Sequence, residues 1–360
     1  MINVTKSYLP PIEEYIKYLE KIWASGRLTN NGVMVQELEA KLAEYLGVPY
    51  IHYVSNGTIA IQIALRALEI QGEVITTPFS YIATTNSILW EHCEPVFVDI
   101  DARTFCIDPQ KIEAAITERT QAILAVHVYG YPSDVDAIAA IAKKHDLKVI
   151  YDAAHTFGCK FNGSSLLNYG DLSTLSFHAT KLFHTVEGGA IVAHTSQMAD
   201  ILNKIRSFGH LGDEYYTLGV NGKNSEFHAA MGLCILPYVA GIVQRRRLIC
   251  ETYDAELSSM GVVFSNIPKR YEYNYAYYPV VFQNETQLLA VKQALNSNQI
   301  NPRRYFYPSL NTLPFLQVEQ SCPVSEDISS RVLCLPLYDG LEKQDVLRIS
   351  VLIKEVLKAS

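Results

Sequence analysis

The feature that most limits the possible folds is an alternation of short apolar runs with amphipathic helical segments between about residues 50 and 200. Helix-period segments at 58–68, 109–116 and 134–144 lie between the runs. This alternation predicts an α/β fold of β-α-β units, with helices on both faces of a mostly parallel sheet. Ligands of such sheets bind in the loops after the carboxyl ends of the strands. The apolar runs are residues 50–54, 73–76, 95–98, 122–126, 149–151, 172–177 and 190–193.

The pattern changes after about residue 240. A polar helical segment (244–258) precedes the alternating run YEYNYAYYPVVF (271–282), and helical segments follow at 285–297 and 342–357. We therefore predict a large domain over residues 1–240, including the N-terminal segment, and a smaller α+β domain over residues 241–360. Arg245-Arg246-Arg247 is expected to form a solvated helix face, with a grip on a nucleotide diphosphate as the alternative. The tyrosines at 271, 273, 275, 277 and 278 are expected to pack within a strand.

Composition excludes several classes of protein. The chain has 37 acidic and 30 basic residues, and its net charge of −7 argues against a general nucleic-acid binder. Its seven cysteines are widely spaced without a CxxC pair, so we expect buried thiols rather than disulfides or a metal site. The N-terminus lacks the pattern of a signal peptide, and no run approaches ~18 consecutive apolar residues. These observations predict a cytoplasmic protein with no membrane partner.

Two post-strand segments can accommodate a planar, anionic ligand. Ser55-Asn56-Gly57-Thr58 follows the first apolar run and opens a predicted helix, where backbone N–H groups favour a phosphate. The alternative for this segment is an ordinary helix N-cap. Tyr81, in PFSYIAT (78–84), follows the second run, and its ring can stack on a heteroaromatic ring or pack in the core.

Charged residues follow two further runs. Asp152-Ala153-Ala154-His155 comes after residues 149–151, and a carboxylate at the tip of a buried strand requires a cationic partner. Lys181 ends the segment SFHATK (176–181) and is a candidate Schiff-base lysine, because desolvation makes an amine nucleophilic. The alternatives are an N-cap aspartate and a solvated surface lysine. Glu187-Gly188-Gly189 permits close passage of the backbone beside a ligand.

Taken together, these segments supply an anion cradle, a stacking ring, a carboxylate for a ring nitrogen and a reactive lysine. Pyridoxal 5′-phosphate (PLP) requires one such group each for its phosphate, ring face, pyridinium nitrogen and aldehyde carbon. The sequence therefore predicts a PLP site.

The same segments resemble the nucleotide-sugar aminotransferases of the DegT/StrS family. The resemblance runs from GRLTNNG (26–32) to LPL (335–337). It implies the aspartate-aminotransferase-like fold of PLP enzymes and a homodimer with shared active sites. The most specific motifs are SNGTIAI (55–61), PFSYIAT (78–84), PVFVDID (95–101), VHVYGYPSD (126–134), DAAH (152–155), SFHATK (176–181) and EGGAI (187–191).

The resemblance also implies roles for individual residues. Lys181 is similar to the Schiff-base lysine that moves the proton, Asp152 to the partner of the pyridinium nitrogen, and His155 to a residue near the ring hydroxyl. The other implied cofactor contacts are Gly57, Thr58 and Ser176 at the phosphate, Tyr81 on the ring, and Asn221 at the phosphate of the neighbouring subunit. The implied substrate contacts are Thr29, His178, Arg303, Arg304 and Tyr305.

The implied reaction has two halves. L-Glutamate converts PLP to pyridoxamine 5′-phosphate (PMP), which then aminates a keto sugar carried on a nucleoside diphosphate. The run SFHATKLFHTVEGG (176–189) is most similar to the branch that makes dTDP-4-amino-4,6-dideoxyglucose from dTDP-4-keto-6-deoxyglucose. Two segments depart from the family pattern: Asn221-Gly222-Lys223 replaces NYR, and Pro308-Ser309-Leu310 replaces PLH.

Three alternatives remain open from the sequence. They are an aminotransferase for 3-keto nucleotide sugars, a PLP-dependent sugar dehydratase and a non-catalytic regulatory homologue. Relatives that catalyse the dehydration carry histidine in place of the Schiff-base lysine, so Lys181 argues against the second. A regulatory protein would tolerate the loss of a cofactor group, whereas Asp152 and Lys181 are both present.

Overall fold

A computed structural model of the chain describes residues 1–258, 270–316 and 320–359. The helices are α1 (Ile12–Ser25), α2 (Val33–Leu46), α3 (Gly57–Ala67), α4 (Ile82–Trp90), α5 (Pro109–Ile112), α6 (Val135–His145), α7 (Ser196–Ile205), α8 (Glu226–Ile235), α9 (Val239–Leu257), α10 (Glu285–Ser297), α11 (Pro323–Arg331) and α12 (Lys343–Ala359). The strands are β1 (Ile2–Asn3), β2 (Tyr50–Val54), β3 (Glu73–Thr76), β4 (Glu94–Phe97), β5 (Thr120–Val126), β6 (Lys148–Asp152), β7 (Lys160–Phe161), β8 (Ser164–Ser165), β9 (Leu172–Ser176), β10 (Gly189–Ala193), β11 (His210–Leu211), β12 (Glu214–Tyr215), β13 (Tyr271–Glu272), β14 (Pro279–Val281), β15 (Ile300–Asn301) and β16 (Val332–Cys334).

A seven-stranded sheet forms the centre of the fold, in the order β2-β10-β9-β6-β5-β3-β4. The pairs from β9 to β4 are parallel, and β10 runs antiparallel to both of its neighbours. Strands such as β3 and β10 are buried along their whole length because helices cover both faces of the sheet. The predicted α/β class and mostly parallel sheet are confirmed.

The strand order places the ligand-binding edge of the sheet. From β3 the chain adds β4 at the outer edge and then returns to place β5 on the other side of β3. Strands β2, β3, β6 and β9 all point the same way, so their carboxyl ends lie along one edge. The antiparallel strand β10 begins at that edge, where Gly189 pairs with Ser176 and Val54. The loops at this edge carry the predicted site residues.

The N-terminal helices cover one end of the large unit. Buried Leu38 and Leu42 of α2 pack in one core cluster with Phe177 and Phe183. The helical stretch Glu226–Leu257, spanning α8 and α9, is the one described segment that is long and apolar enough to cross a membrane. More than half of its most apolar window is buried inside the protein, as in a core helix.

A smaller unit is built from α9, α10 and α12 around the antiparallel pair β14–β16. Its core cluster starts at Ile249, whereas Ile242 of the same helix packs in the cluster of the large unit. The change of core therefore occurs within α9, close to the predicted boundary. At the N-terminus, β1 pairs in parallel with β15, which links the first residues of the chain to its C-terminal part.

Two expectations are wrong, the second of them for Arg246 alone, since Arg245 and Arg247 are exposed as predicted. The run 271–282 is not one strand: only its ends form β13 and β14, and the intervening residues 273–278 form an irregular segment. Arg246 does not lie on a solvated helix face, since it is buried and donates to the carbonyl oxygens of Tyr275, Ala276 and Leu337 at 2.9–3.1 Å. The guanidinium ties the irregular segment to α9.

Candidate active site

A cavity of about 500 Å³ lies at the carboxyl-end edge of the sheet. Loops after β2, β3, β6 and β9 line it from the large unit, and residues after β13 and β15 line it from the small unit. Most of the predicted site residues therefore meet in one place. The predicted residues that line the cavity are Gly57, Thr58, Tyr81, Asp152, His155, Ser176, His178, Lys181, Arg303 and Tyr305.

The N-terminus of α3 opens into the cavity. The Asn56 side chain caps this helix by accepting a hydrogen bond from the Ile59 N–H at 2.9 Å. Gly57 lies against Ser176, and a Cβ at position 57 would approach the Ser176 Cβ to 2.9 Å. The first N–H groups of a helix have no partner inside it, so this end of α3 together with the Ser176 hydroxyl can bind a phosphate.

Asp152 ends β6 and is buried. Its Oδ2 accepts a hydrogen bond from the Thr84 hydroxyl at 2.8 Å, and its Oδ1 accepts one from the Ala154 N–H at 3.1 Å. Burial raises the pKa of this carboxyl, and the bonds from Thr84 and Ala154 and the charge of Lys181 oppose that rise. A cationic ring N–H in the cavity would give the buried carboxylate the partner that its desolvation requires.

His155 follows Asp152 and is also buried. Its Nδ1 accepts a hydrogen bond from the Tyr129 N–H at 3.2 Å, so the neutral imidazole carries its proton on Nε2. Burial, with a smaller contribution from the charge of Lys181, holds the pKa of His155 well below its ordinary value. The ring therefore offers a neutral N–H donor, which suits the ring hydroxyl of PLP.

Lys181 lies at the centre of the lining, half-buried, in the loop after β9. Its Nζ donates to the Tyr277 hydroxyl at 3.5 Å. Desolvation lowers the pKa of Lys181 to about 8, although the nearby Asp152 carboxylate favours the charged amine. An amine with this pKa is partly neutral near physiological pH, and can act as a nucleophile and as an acid or base.

The mouth of the cavity carries aromatic and charged side chains. Tyr81 precedes α4 and is 58% exposed, so one face of its ring is free to stack on a ligand. The guanidinium of Arg303 lies 5.0 Å from the centre of the Tyr305 ring. His178 approaches Glu187, with 3.6 Å between Nε2 and Oε1. These groups suit a polar, charged substrate that reaches the cavity from solvent.

Three predicted residues are not part of this lining among the residues that the structure describes. Arg304 turns away, donating to Glu285 at 2.7 Å and to the Ser330 carbonyl at 2.6 Å. Asn221 is exposed, and its backbone forms an isolated antiparallel β-bridge with Ser207. Thr29 is also exposed, and its hydroxyl donates to the Asn224 carbonyl oxygen. The role of Arg304 as a substrate contact is therefore not supported within this subunit, whereas Asn221 was expected to act on the neighbouring one.

The structure adds residues that the sequence did not single out. Thr84 holds the Asp152 carboxylate, and Phe306 and Tyr277 close the side of the cavity towards the small unit. Tyr277 was expected to pack within a strand, but its hydroxyl faces Lys181. The sequence did contain a signal for Thr84, because this residue ends the motif PFSYIAT (78–84). Only the folded chain brings Tyr277 next to Lys181, 96 residues away.

The residues present fit PLP. An anion site at α3, a neutral imidazole donor, a buried carboxylate and a lysine with a lowered pKa line one cavity. A cavity of this volume is large enough for the cofactor, since ligand sites commonly measure about 300–1,000 Å³. The described residues hold no group of three or more His, Cys, Asp or Glu suited to a metal ion.

Known proteins are similar to this chain along its whole length. The sequence pattern of the DegT/DnrJ/EryC1/StrS aminotransferase family matches residues 11–354. A dTDP-4-amino-4,6-dideoxy-D-glucose transaminase of Shigella dysenteriae is 44% identical, over 99% of each chain. The crystal structure of DesI in the presence of its TDP-sugar product superposes with a TM-score of 0.94, at 30% identity over 99% of this chain and 93% of that one. NtdA of Bacillus subtilis, solved with bound cofactor PMP, gives a TM-score of 0.88 at 30% identity over 96% of this chain and 82% of that one.

Proposed function

The chain belongs to the DegT/DnrJ/EryC1/StrS aminotransferase family, and from this premise we propose that it transfers the amino group of L-glutamate to dTDP-4-keto-6-deoxyglucose, with PLP as its cofactor. The product is dTDP-4-amino-4,6-dideoxyglucose. The observation that carries the proposal is the 44% identity, over 99% of both chains, with a transaminase named for that product. The cavity supports it, because Lys181 and Asp152 line the same space.

Each cofactor contact has a residue suited to it. When bound, PLP supplies an electron-accepting ring and a carbonyl carbon that exchanges amino groups. The N-terminus of α3 and Ser176 would hold the phosphate, Asp152 would keep the ring nitrogen protonated, and the His155 Nε2–H would donate to the ring hydroxyl. Tyr81 covers one face of the ring. NtdA of Bacillus subtilis, which binds PMP, has the same fold and supports this arrangement.

Lys181 moves the proton in both halves of the reaction. Its pKa of about 8 lets Nζ accept a proton from substrate carbon and return it without a large energetic penalty in either direction. Asp152 remains buried and ionised opposite the ring nitrogen. The chain thus separates the two tasks, with one group that exchanges protons and one that holds a fixed charge.

We also propose a homodimer in which Asn221 reaches the phosphate in the neighbouring subunit's site. The segment around Asn221 exposes large apolar side chains, as surfaces that bind another protein do. These are Phe208, Leu211, Tyr215, Tyr216, Leu218 and Val220, each at least 38% exposed. A second copy of the chain would cover them and bring Asn221 to a site in which Lys181 belongs to the other subunit.

The first experiment is the visible absorption spectrum of the protein loaded with PLP, before and after addition of L-glutamate. We expect a yellow protein whose colour fades as PMP forms. Lys181→Ala should abolish the glutamate response, and Asp152→Asn should reduce it strongly while leaving the assembly folded. A protein that stays colourless with PLP would contradict the cofactor assignment. One that is yellow but unchanged by glutamate would contradict the amino donor.

The second experiment tests the acceptor. The PMP form is mixed with dTDP-4-keto-6-deoxyglucose, and in parallel with a 3-keto isomer, and the products are identified by mass spectrometry and NMR. We expect rapid return of the yellow colour and an amino group at C4 with the 4-keto sugar only. Faster amination of the 3-keto isomer would favour the 3-keto alternative, and release of a deoxygenated sugar would indicate a dehydratase.

A further inference from the structure

Tyr277 makes the only side-chain hydrogen bond recorded for the Lys181 amine within the part of the chain that the structure describes. The two groups lie 3.5 Å apart, and Lys181 Nζ is also 6.0 Å from the centre of the Tyr277 ring. The same ring stands edge-on to His155, with the centroids 4.8 Å apart and an interplanar angle of 69°. Tyr277 thus contacts both the reactive amine and the imidazole beside it.

The backbone that carries Tyr277 is fixed from both structural units. From the small unit, Arg246 donates to the carbonyl oxygens of Tyr275 and Ala276 at 3.1 Å. From within the segment, the Tyr273 hydroxyl donates to the Tyr277 carbonyl oxygen at 3.2 Å. Asn274 ties the segment to the large unit by donating to the carbonyl oxygens of His155 and Phe157 at 2.9 and 3.0 Å. The position of the hydroxyl is therefore set by the fold rather than by a freely rotating loop.

The Tyr277 hydroxyl can serve the amine in either of its protonation states. Burial raises the pKa of Tyr277 well above its ordinary value, so the phenol keeps its proton. A phenol accepts a hydrogen bond from an ammonium group and donates one to the lone pair of a neutral amine. The charged and titratable groups that face this pair are Asp152, Tyr81 and His155 around Lys181, and Arg246, Arg303, Cys334, Tyr129 and Tyr305 around Tyr277.

We propose that Tyr277 is a positioning residue, which holds the Lys181 amine in the cavity whenever that amine is not covalently engaged. A flexible lysine side chain has many rotamers, and an anchored acceptor restricts them to those in which Nζ faces the reacting atoms. The proposal rests on the aminotransferase function, because in that reaction Lys181 alternates between a bonded and a free amine.

The test compares Tyr277→Phe with wild type in two measurements. In the PLP-free protein, the pKa of Lys181 is obtained from the pH dependence of trace acetylation of Nζ by acetic anhydride, followed by mass spectrometry of the peptide. Loss of the hydroxyl removes a hydrogen bond that is stronger with the charged ammonium than with the neutral amine, so we expect the pKa to fall by roughly 0.5–1 unit. In the loaded enzyme we expect kcat to fall roughly tenfold with KM for the sugar unchanged.

Tyr275→Phe is the matched control, because it removes a hydroxyl from the same segment without a contact to Lys181. It should leave the pKa and kcat as in wild type. If Tyr277→Phe does not fold, site-specific 3-fluorotyrosine at position 277 keeps the ring and hydroxyl but weakens the oxygen as an acceptor, and should lower the pKa by a smaller amount. A fall in kcat without a change in the Lys181 pKa would assign Tyr277 a purely structural role and overturn the proposal.

The labelling experiment also separates this proposal from the proposed substrate. It uses neither sugar nor amino donor, so its result does not depend on which keto sugar is aminated. If the Lys181 pKa falls in Tyr277→Phe as expected, but the wild-type enzyme does not turn over dTDP-4-keto-6-deoxyglucose, the result counts against the proposed substrate alone. An unchanged pKa with normal turnover would count against the role of Tyr277 alone.

Discussion

Burial pushes three titratable groups that line the cavity towards their neutral forms. It lowers the pKa values of Lys181 and His155 and raises that of Asp152. The cavity therefore disfavours charge until a ligand brings charges of its own. A protonated pyridine ring opposite Asp152 and a phosphate at α3 would bring such charges, so the proposed cofactor would be stabilised in this cavity.

The lowered pKa of Lys181 predicts how the stability of the PLP-free protein depends on pH. Between about 8 and the ordinary value of 10.5, the unfolded chain holds a proton that the folded chain has lost, so this lysine makes stability rise with pH. Below about 8 both states are protonated, and the full penalty for burying the ammonium remains. We expect Lys181→Met to stabilise the PLP-free protein by on the order of 2–3 kcal/mol at neutral pH, and less as the pH rises through this window.

This prediction is checked by denaturant unfolding of the PLP-free proteins at several pH values. Lys143→Met is the control, since this lysine is exposed on α6 and does not line the cavity. The free energy of unfolding of Lys143→Met should differ little from that of wild type, and the difference should not change with pH. If the difference in free energy of unfolding between Lys181→Met and wild type stays constant from neutral to alkaline pH, Lys181 is not desolvated as described.

A second prediction at the scale of the residue concerns Thr84 and the affinity for PLP. Its hydroxyl donates to the buried Asp152 carboxylate at 2.8 Å, and Thr84→Val would remove that bond while keeping the shape of the side chain. A hydrogen bond to a charged group contributes about 1.5–3 kcal/mol, so PLP should bind roughly ten- to a hundredfold more weakly. Thr84→Ser keeps the hydroxyl and should bind PLP almost as wild type does. Equal affinities for all three proteins, measured by titration, would exclude this role.

The sequence predicted the site residues whose position follows directly from a strand end. Asp152 ends β6 and Lys181 lies five residues beyond β9, so the rule that parallel strands present their carboxyl ends together was sufficient. Tyr277 could not be found in this way. Its segment alternates like a strand, and only the contacts of Arg246 and Asn274 with it show why it departs from that structure.

At the scale of elements, apolar runs located the strands but not their direction. All seven predicted strands overlap the observed ones with ends that differ by at most two residues, and β2 and β3 agree at both ends. The reversed direction of β10 is not visible in its sequence, because a strand buried on both faces is apolar in either direction. Residues 177–188 bring the chain back to the edge at which β9 ends, so β10 runs in the opposite direction, and a Cβ on its first residue Gly189 would meet the Asn56 backbone at 2.5 Å.

Helix α2 depends on a residue that lies nearly 200 positions later in the sequence. Buried Glu226, the first residue of α8, accepts hydrogen bonds from the Met34 N–H at 2.8 Å and the Val35 N–H at 3.3 Å. It also occupies the space beside Gly32, where a Cβ would approach its carboxylate to 2.4 Å. The side chain thus caps α2 from another element, and joins the N-terminal segment to the large unit.

Loss of this cap should destabilise the protein. Glu226→Ala leaves two buried N–H groups without an acceptor, and we expect a loss of about 1–3 kcal/mol in the free energy of unfolding. Glu13→Ala is the control, because Glu13 lies in the first turn of α1 but is exposed. It should change stability by less than about 0.5 kcal/mol. Denaturant unfolding of the PLP-bound proteins measures both, and equal effects would contradict the capping role.

At the scale of the whole molecule, the cavity is lined by segments that lie far apart in the sequence. Lys181, Asp152 and His155 come from the large unit, whereas Tyr277, Arg303 and Tyr305 come from segments beyond residue 270. Arg246 connects the two, since it belongs to α9 and fixes the backbone beside Tyr277. The proposed substrate contacts beyond residue 270 can thus vary while the proposed cofactor contacts stay at the edge of the sheet.

The last prediction concerns the proposed homodimer. Asn221 is exposed in one subunit and is proposed to complete the site of the other. Asn221→Ala and Lys181→Ala proteins are each inactive at limiting PLP, and are then mixed under conditions in which subunits exchange. A mixed dimer has one site with both mutations and one with neither. Random exchange makes half of the dimers mixed, so about a quarter of the wild-type activity should return.

The control is a mixture of Lys181→Ala with Asp152→Ala. Both residues line the same cavity of a single subunit, so each site of a mixed dimer keeps one mutation and no activity should return. Recovery in the first mixture but not in the second requires that Asn221 acts across the interface. If native mass spectrometry shows that the subunits have exchanged and the first mixture stays inactive, Asn221 serves its own subunit or none, and the shared site is wrong.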